Sequence, residues 1–411
     1  MTEPQRYSHH QALTSGTRRV RPEWQYYIGI IGLLLVMVIA LTGGIIWYDS
    51  KKSNELAIAA TKRMMVGASE NVSDRLKLLY DPMYAIVGIA SLVPEMTSPK
   101  IQADAHALAL ILRVLRIYPQ VLSLYVGFDT GDFFMVTHLA GENSAALRAK
   151  LKAPSDAAFA NEIITADGSG ERKTRWVFLD EDGAVVGRLD PATAEFDPRQ
   201  RPWYDAAKRT ADVEQSDMYI FATSGEPGFT LSRSFEGQAP GVIGADLTAA
   251  DLARFLRDQR ITPSSTAFIF TKTGEVIALP QAERIAAAVR DDDAQMLVAP
   301  PKIGYLSDPI IAGLVAAYEN GHMSGTRFYN VADRTYVGRV MEIPARYGRD
   351  QLLAIMVPLD EIVKPITEIR NQTLLYSVGF LVFALPLYIT LVVAWIDRRL
   401  GRRGPRVRIE R

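Results

Sequence analysis

The stretch that organises this chain is Phe196-Asp-Pro-Arg-Gln-Arg-Pro-Trp-Tyr-Asp-Ala-Ala207. Each proline fixes its own φ and pushes the residue before it out of the helical region. Pro198 and Pro202 therefore predict a rigid extended segment that turns into a helix near Trp203. Such a segment would hold Arg201, Trp203 and Tyr204 at fixed angles, and we expect the rest of the chain to frame these side chains.

Length and composition predict a large folded protein without metal or redox chemistry. The chain has 411 residues, is 48% hydrophobic and contains no cysteine, which excludes disulfides and Cys-based zinc sites. Of its five histidines, His9 and His10 lie in the N-terminal tail, and His106, His138 and His322 are scattered. We expect no metal site, no cofactor and no catalytic residues, because phosphate-binding glycine loops, nucleophile elbows and zinc-protease motifs are missing from the sequence.

Two apolar stretches, residues 28–48 and 373–396, predict membrane spans, because roughly 20 apolar residues cross a bilayer. Residues 1–27 carry a net charge of +2 and residues 397–411 a net charge of +5. By the positive-inside rule both of these tails are cytoplasmic. The sequence thus predicts a two-pass protein of the bacterial inner membrane, with residues 49–372 in the periplasm.

A cleaved signal peptide is the alternative explanation of the first stretch. We favour an uncleaved anchor, because the preceding tail is long and no clear small-x-small cleavage site follows. The rest of the chain carries a net charge of −7, which balances the two tails. A periplasmic region of that sign is a poor nucleic-acid binder, whereas the basic tails can rest on anionic lipid headgroups.

After the first span, an apolar stripe predicts a long helix. The apolar residues recur at three- and four-residue intervals at Ala68, Val72, Leu76, Leu79, Met83, Ile86 and Ala90. We expect this stripe to pack mainly against its own domain rather than in a pure coiled coil. Contact with a second copy of the chain through part of the same helix is compatible with that packing, so a homodimer is expected.

The remaining pattern predicts two sheet modules in tandem, an α+β fold. A second helix over 101–118 leads to a hairpin that turns at Asp129-Thr130-Gly131, and further strands and a helix capped near Thr248 follow. The same order then repeats from a hairpin at Thr273-Gly274 to a helix that begins near Leu359. We place the membrane-distal module, with its long helix, at 49–262 and the membrane-proximal module at 263–372.

This constellation resembles the double Cache sensor domains of bacterial chemoreceptors, sensor kinases and nucleotide cyclases, over about residues 49–372. The string Asp-Pro-Arg-Gln-Arg-Pro-Trp-Tyr carries the resemblance together with Tyr219 and with Gly241-Val-Ile-Gly-Ala-Asp246. The family implies two PAS-like antiparallel-sheet modules behind a long N-terminal helix. It also implies a role in sensing rather than in catalysis.

One subgroup of that family recognises amino acids through an ordered set of side chains. The matching residues here are Tyr125, Arg201, Trp203, Tyr204, Tyr219 and Asp246. Tyr125 is placed by the string Leu-Tyr-Val-Gly, although the segment 140–196 after it is longer than the family pattern. The resemblance implies that Arg201 binds a ligand carboxylate and that Asp246 binds the ammonium, with the aromatic residues beside them.

A purely structural role for the same stretch stays open. Prolines and aromatics also build packed corners, and Asp197 and Arg199 are close enough in sequence to form a local ion pair. The Arg-Pro-Trp-Tyr segment is therefore interpreted either as a binding element or as a corner of the fold.

The sequence predicts, in sum, a non-enzymatic membrane sensor of an amino acid or similar small molecule. About 15 residues follow the second span, so a cytoplasmic or membrane signalling partner is expected. Two alternatives remain: the chain is the sensory N-terminal part of a membrane adenylate or guanylate cyclase, or it is a periplasmic scaffold that binds nothing. The segment Arg75-Leu-Lys-Leu-Leu-Tyr-Asp-Pro resembles sensor regions of such cyclases.

Overall fold

The structure of the protein is a computed structural model that describes residues 24–139, 144–166, 170–237, 239–280, 302, 308–319, 325–331 and 333–401. The chain divides into two compact units, Met1–Ala59 with Thr367–Arg411, and Ala60–Ile366. The α-helices of the described residues are α1 (Trp24–Ala90), α2 (Ala105–Ile117), α3 (Ser144–Leu151), α4 (Pro202–Lys208), α5 (Ala249–Asp258), α6 (Pro309–Glu319), α7 (Leu359–Gly379) and α8 (Leu385–Gly401).

The first unit contains the apolar helical segments. Among the described residues, Asn371–Ile396 is the one helical segment long and apolar enough to cross a membrane, and Ile31–Ile45 is a shorter apolar segment of α1. The two-pass topology therefore stays a prediction. Between α7 and α8 the helix widens into a π-helical turn, Phe380–Ala384, just before Pro386, whose ring would clash with the fourth preceding carbonyl in a regular α-helix.

The second unit contains two antiparallel sheets. The larger sheet has the strand order β5-β4-β3-β2-β1-β10-β9-β7, while β6 pairs with β4 and β8 pairs with β9. Its strands are β1 (Ser123–Phe128), β2 (Phe133–His138), β3 (Phe159–Ala166), β4 (Arg172–Leu179), β5 (Val185–Arg188), β6 (Ala192–Thr193), β7 (Glu214–Gln215), β8 (Tyr219–Ile220), β9 (Pro227–Phe235) and β10 (Gly241–Thr248).

The smaller sheet has the order β12-β11-β15-β14-β13. Its strands are β11 (Thr266–Thr271), β12 (Val276–Ala278), β13 (Thr326–Val331), β14 (Arg334–Glu342) and β15 (Gln351–Pro358). The helix α6 packs against this sheet through Ile311, Leu314 and Val315, which belong to a core with Phe268 and Phe270.

The two sheets repeat one plan. The order β2-β1-β10-β9 in the larger sheet corresponds to β12-β11-β15-β14 in the smaller one. Each hairpin turns at a glycine in the left-handed region, Gly131 at φ 87° and Gly274 at φ 82°, which a side chain would strain. The predicted α+β fold with two antiparallel sheets is therefore present, whereas the module boundaries 49–262 and 263–372 stay predictions.

The apolar stripe of α1 packs against its own domain, as the sequence predicts. Val72, Leu76 and Met83 are buried in the main core, and the Tyr80 ring lies 6.0 Å from that of Phe229 on β9. The helix ends at Ala90. Burial of this apolar stripe holds α1 against the larger sheet.

Two parts of the second unit differ from the expected elements. The helix expected over 101–118 becomes a 3₁₀ turn, Ile101–Ala103, followed by α2, because the Asp104 carboxylate accepts bonds from the first backbone N–H groups of α2 and so caps it. The long segment 140–196 contributes α3 and the strands β3 to β6. These strands extend the sheet by one edge, and they form one side of the cleft described below.

Candidate ligand-binding site

The site begins with a close contact between two neighbouring strands. Tyr125 on β1 lies directly opposite Gly244 on β10. A Cβ atom at position 244 would lie 2.4 Å from Cε2 of Tyr125, so the tyrosine ring fits only because residue 244 is a glycine. The motif Gly241–Asp246 therefore places a tyrosine ring over the backbone two residues before its aspartate.

A buried network of hydroxyl groups surrounds that aspartate. The Tyr125 hydroxyl donates to Asp246 Oδ1 at 2.6 Å, and the Thr230 hydroxyl donates to the same oxygen at 2.6 Å. Tyr219 Oη and Thr230 Oγ1 are 2.7 Å apart. Thr230 lies opposite Asp246 in the pairing of β9 with β10, so the sheet register brings the four side chains together.

The Asp246 carboxyl group has a raised pKa, so both its neutral and its charged form are accessible near neutral pH. Burial raises its pKa to about 7, although bonds from Thr230 and Tyr125 and the charge of Arg201 act to lower it. Burial and the nearby Asp246 also raise the pKa of Tyr125 well above its usual value. A cation that entered this site would therefore meet a carboxylate with no buried counter-ion bonded to it among the described residues.

Arg201 lies between the two prolines of the quoted stretch, directly before α4. Its side chain is buried, and its Nη2 donates to the Ile220 carbonyl at 2.9 Å. Among the described residues its Nε has no hydrogen-bond partner. The guanidinium also lies against the rings of Phe196 and Tyr219, at 5.7 and 5.4 Å. One N–H of the planar fork is thus available to an anion.

Trp203 packs within the same cluster, whereas Tyr204 points elsewhere. The Trp203 ring lies edge-on to Tyr125 at 4.9 Å, and its carbonyl accepts a bond from Ser232. The Tyr204 hydroxyl donates to Asp129, which also forms an ion pair with Lys208. Tyr204 therefore ties α4 to the first hairpin.

Five of the six predicted residues line one cavity. Its volume is about 30 Å³, which is too small for an amino acid. The side chains that line it include Tyr125, Met135, Phe196, Arg201, Trp203, Tyr219, Phe221, Thr223 and Asp246. The sequence does not predict Met135, Phe196, Phe221 or the Thr230 hydroxyl as parts of the site. The alternation of side chains along β2 and β9 is the pattern that could have indicated Met135 and Thr230.

The predicted ion pair of Asp197 and Arg199 is present outside this cavity. Arg199 Nη2 lies 2.7 Å from Asp197 Oδ2, and Asp197 also accepts a bond from the backbone N–H of Arg199. Hydrogen bonds from Arg199 lower the pKa of Asp197. This pair supports the corner itself, so the stretch has a structural component beside its cavity-lining residues. Within the described residues, His, Asp and Glu side chains form no cluster suited to a metal ion.

Comparison with known sequences finds relatives among bacterial signalling proteins. No family model matches the chain. It is 28% identical to adenylate cyclase 1 of Rhizobium meliloti over 365 residues, which are 88% of this chain and 54% of the cyclase. It is 32% identical over 84 residues to the methyl-accepting chemotaxis protein McpB of Bacillus subtilis, and 25% identical over 113 residues to PctB of Pseudomonas aeruginosa.

The chain spans about half the length of that cyclase, and its match covers 12% of McpB and 18% of PctB. Among solved structures, it is similar to the ligand-binding domain of the Campylobacter jejuni chemoreceptor Tlp3 with L-norvaline, with a TM-score of 0.46 at 12% identity. That similarity covers 75% of this chain and 95% of the domain. The likeness to an adenylate cyclase and to chemotaxis proteins confirms the resemblance to double Cache sensors stated from the sequence motif.

Proposed function

We propose that this protein is a membrane-anchored extracytoplasmic sensor that binds an amino acid or a similar molecule in the larger-sheet module. The observation that carries the proposal is the presence of a buried carboxylate, Asp246, and a buried guanidinium, Arg201, in the wall of one cavity. Free amino acids carry an ammonium and a carboxylate on one carbon. The two protein groups complement these two charges.

In the proposed complex the ligand ammonium binds Asp246, and the aromatic faces of Trp203 and Tyr219 lie beside it. The ligand carboxylate takes both arms of the Arg201 fork, because paired charged hydrogen bonds are stronger than neutral ones. The known ligands of the chemotaxis relatives are properties of those proteins. For this chain the support is the geometry of Asp246 and Arg201.

Binding must enlarge the cavity, since about 30 Å³ does not hold an amino acid. We infer that the bond from Arg201 Nη2 to the Ile220 carbonyl is the contact that changes, because a ligand carboxylate bound by both arms of the fork would compete with that carbonyl for Nη2. The side chain of Ile220 packs against the core of the smaller sheet. Replacement of the Ile220 carbonyl by the ligand carboxylate at Arg201 would therefore act on Ile220, which belongs to the larger sheet and packs against the core of the smaller one.

We infer that this displacement reaches the membrane through the smaller sheet, because β15 leads directly into α7 and then into the apolar segment Asn371–Ile396. Two spans with both tails in the cytoplasm, and a homodimer formed along α1, complete the proposal. Leu78 and Ile89 support the dimer, since both are exposed on one face of α1, at 71% and 64%.

A second candidate output is cyclic nucleotide synthesis. The similarity to an adenylate cyclase over 88% of this chain favours it. In that case the described residues act as the non-enzymatic sensory part, and a catalytic partner, in the same or another chain, makes the nucleotide. A scaffold that binds nothing is disfavoured, because burying Asp246 and Arg201 costs stability and no ligand would compensate for that cost.

The test is calorimetric titration of the full chain in lipid nanodiscs with the common amino acids, compared with Asp246→Asn and Arg201→Gln. The matched controls are Asp258→Asn and Arg260→Gln, because both wild-type side chains are exposed and lie outside the cavity. We expect binding in the wild type and in both controls, and a loss of at least about tenfold in the two cavity variants. Unchanged affinity in the cavity variants would refute the site.

A further inference from the structure

A second, larger space adjoins the cavity. It is a cleft of about 600 Å³, a volume typical of ligand sites. The cavity and the cleft share the wall residues Phe196, Arg201, Ala222 and Thr223. These residues separate the two spaces, so a small movement of the shared wall would join them.

One buried carboxylate in this cleft lacks a charged partner. Glu162 on β3 is 7% exposed, and its carboxylate accepts one long hydrogen bond, of 3.4 Å, from the Thr223 hydroxyl. Burial raises the pKa of Glu162 to about 7. No cationic side chain of the described residues forms an ion pair with it. A buried carboxylate in this condition is costly for the fold, unless a donor or a cation from outside binds it.

The neighbouring cation, Lys150, acts on Glu162 only through its charge, which lowers the pKa of Glu162, and it forms no ion pair with that carboxylate. Lys150 also lines the cleft, but its ammonium donates to the carbonyls of Ala222 and Thr223 at 3.0 and 2.9 Å. The cleft also contains the acids Asp190, Glu195 and Asp197, against the bases Lys150 and Arg201. The balance of charge is negative, and Asp197 is already paired with Arg199.

The sheet register gives the distance from Glu162 to the amino-acid site. Tyr125 lies opposite Met135, Met135 opposite Glu162, and Glu162 opposite Trp176. Residues directly opposite each other project from the same face of a sheet. With strands about 4.8 Å apart, Glu162 lies about 10 Å across that face from Tyr125, with Met135 between them, and about 14 Å from β10, the strand that carries Asp246. The side chains of Asp246 and Glu162 themselves cover part of that distance.

That separation suits a particular ligand. A lysine side chain has a four-carbon stem with bonds of about 1.5 Å, which reaches roughly 6 Å beyond its Cα atom. An amino acid held at Asp246 and Arg201 could therefore extend over Met135 and bring a terminal cation to Glu162. Trp176, which also lines the cleft, offers an aromatic face to the same cation.

We propose that the ligand is an amino acid with a cationic side chain, a diamino or guanidino acid, whose distal charge is bound by Glu162 and Trp176. This inference rests on the proposed amino-acid site at Arg201 and Asp246 and specifies its substrate class. Glu162 would then determine the specificity for a cationic side chain. The distal cation of the ligand would be the counter-ion of its carboxylate.

The experiment titrates the full chain in nanodiscs with L-lysine, L-arginine and L-norleucine; norleucine has the lysine carbon chain without the ammonium. We expect the wild type to bind the two basic amino acids at least about tenfold more tightly than norleucine. Glu162→Gln should remove this preference by weakening the basic ligands roughly 10- to 100-fold, with norleucine unchanged. Glu195→Gln, an exposed acid of the same cleft, should preserve it.

The possible failures are distinguishable. If norleucine and lysine bind equally well and Glu162→Gln alters neither, the inference about Glu162 is wrong while the amino-acid site stands. If none of the common amino acids binds, the amino-acid site fails and this inference fails with it. The melting temperature of Glu162→Gln without ligand checks its fold, and it should equal or exceed that of the wild type because the substitution removes a buried charge.

Discussion

Substitution of Asp246 by asparagine should make the protein more stable at high pH while it abolishes ligand binding. Both bonds that Asp246 accepts, from Tyr125 and from Thr230, end on Oδ1. The amide oxygen of asparagine can accept both of them in the same place. The substitution therefore removes the buried negative charge and preserves the hydrogen bonds around it.

The magnitude follows from the pKa of the carboxyl group. Because burial raises this pKa from 3.8 to about 7, the folded chain keeps a proton that the unfolded chain releases between these values. Stability is thus fully present below the unfolded pKa and is lost as the pH rises through the folded pKa. A shift of about 3 units corresponds to about 4 kcal/mol at most. The buried amide NH₂ group of the asparagine would lack a hydrogen-bond acceptor, which costs about 1–3 kcal/mol of stability.

We therefore expect Asp246→Asn to raise the free energy of unfolding by roughly 1–3 kcal/mol near pH 8, and to be neutral or destabilising near pH 5. The assay is denaturant unfolding of the full chain at both pH values, with Asp258→Asn as the exposed control that should change little. A variant that is less stable than the wild type at both pH values would refute the raised pKa. The same variant should lose amino-acid binding, so stability and binding would change in opposite directions.

Three further predictions concern the same site. Gly244→Ala forces the ring of Tyr125 to move, so it should cost about 1–3 kcal/mol in denaturant unfolding and weaken amino-acid binding; equal stability would contradict the close contact. Thr230→Val leaves the Tyr219 hydroxyl without its bond and should cost about 1–3 kcal/mol, whereas Thr230→Ser should keep most of the stability. Amino-acid affinity of the wild type should fall as the pH drops below about 7, by up to roughly tenfold per unit, because bound ammonium requires an ionised Asp246; a flat calorimetric profile from pH 8 to 5 would contradict this.

The sequence predicts the elements of this fold well because their rules are local. Pro198 and Pro202 set the turn before α4, as each proline constrains only itself and the residue before it. The alternation of apolar residues likewise predicts the paired hairpins at Gly131 and Gly274. Helix α1 follows from a stripe of period 3.6.

The composition of the site follows from the sequence only in part, since cross-strand contacts depend on register. In the sequence nothing distinguishes Thr230 from other strand residues; it lies opposite Asp246 only because of the register in which β9 pairs with β10. Glu162 lies outside every strand expected from the sequence, and its burial is visible only once β3 lies between β2 and β4. The orientation of Tyr204 towards Asp129 depends on the same tertiary packing.

Under the proposed function, the contacts of residues 220–223 would connect ligand recognition to the smaller sheet. Both basic side chains near the ligand site donate to this short segment: Arg201 to the carbonyl of Ile220, and Lys150 to those of Ala222 and Thr223. A ligand carboxylate that takes over Arg201 removes one of these attachments and leaves the one from Lys150. Because the side chain of Ile220 packs on the core of the smaller sheet, the released end of the segment is the one that faces the sheet leading to α7. Ligand binding at Asp246 and Arg201 would thus loosen the segment at the end that contacts the second sheet, and the proposed signal to the membrane would pass through that end.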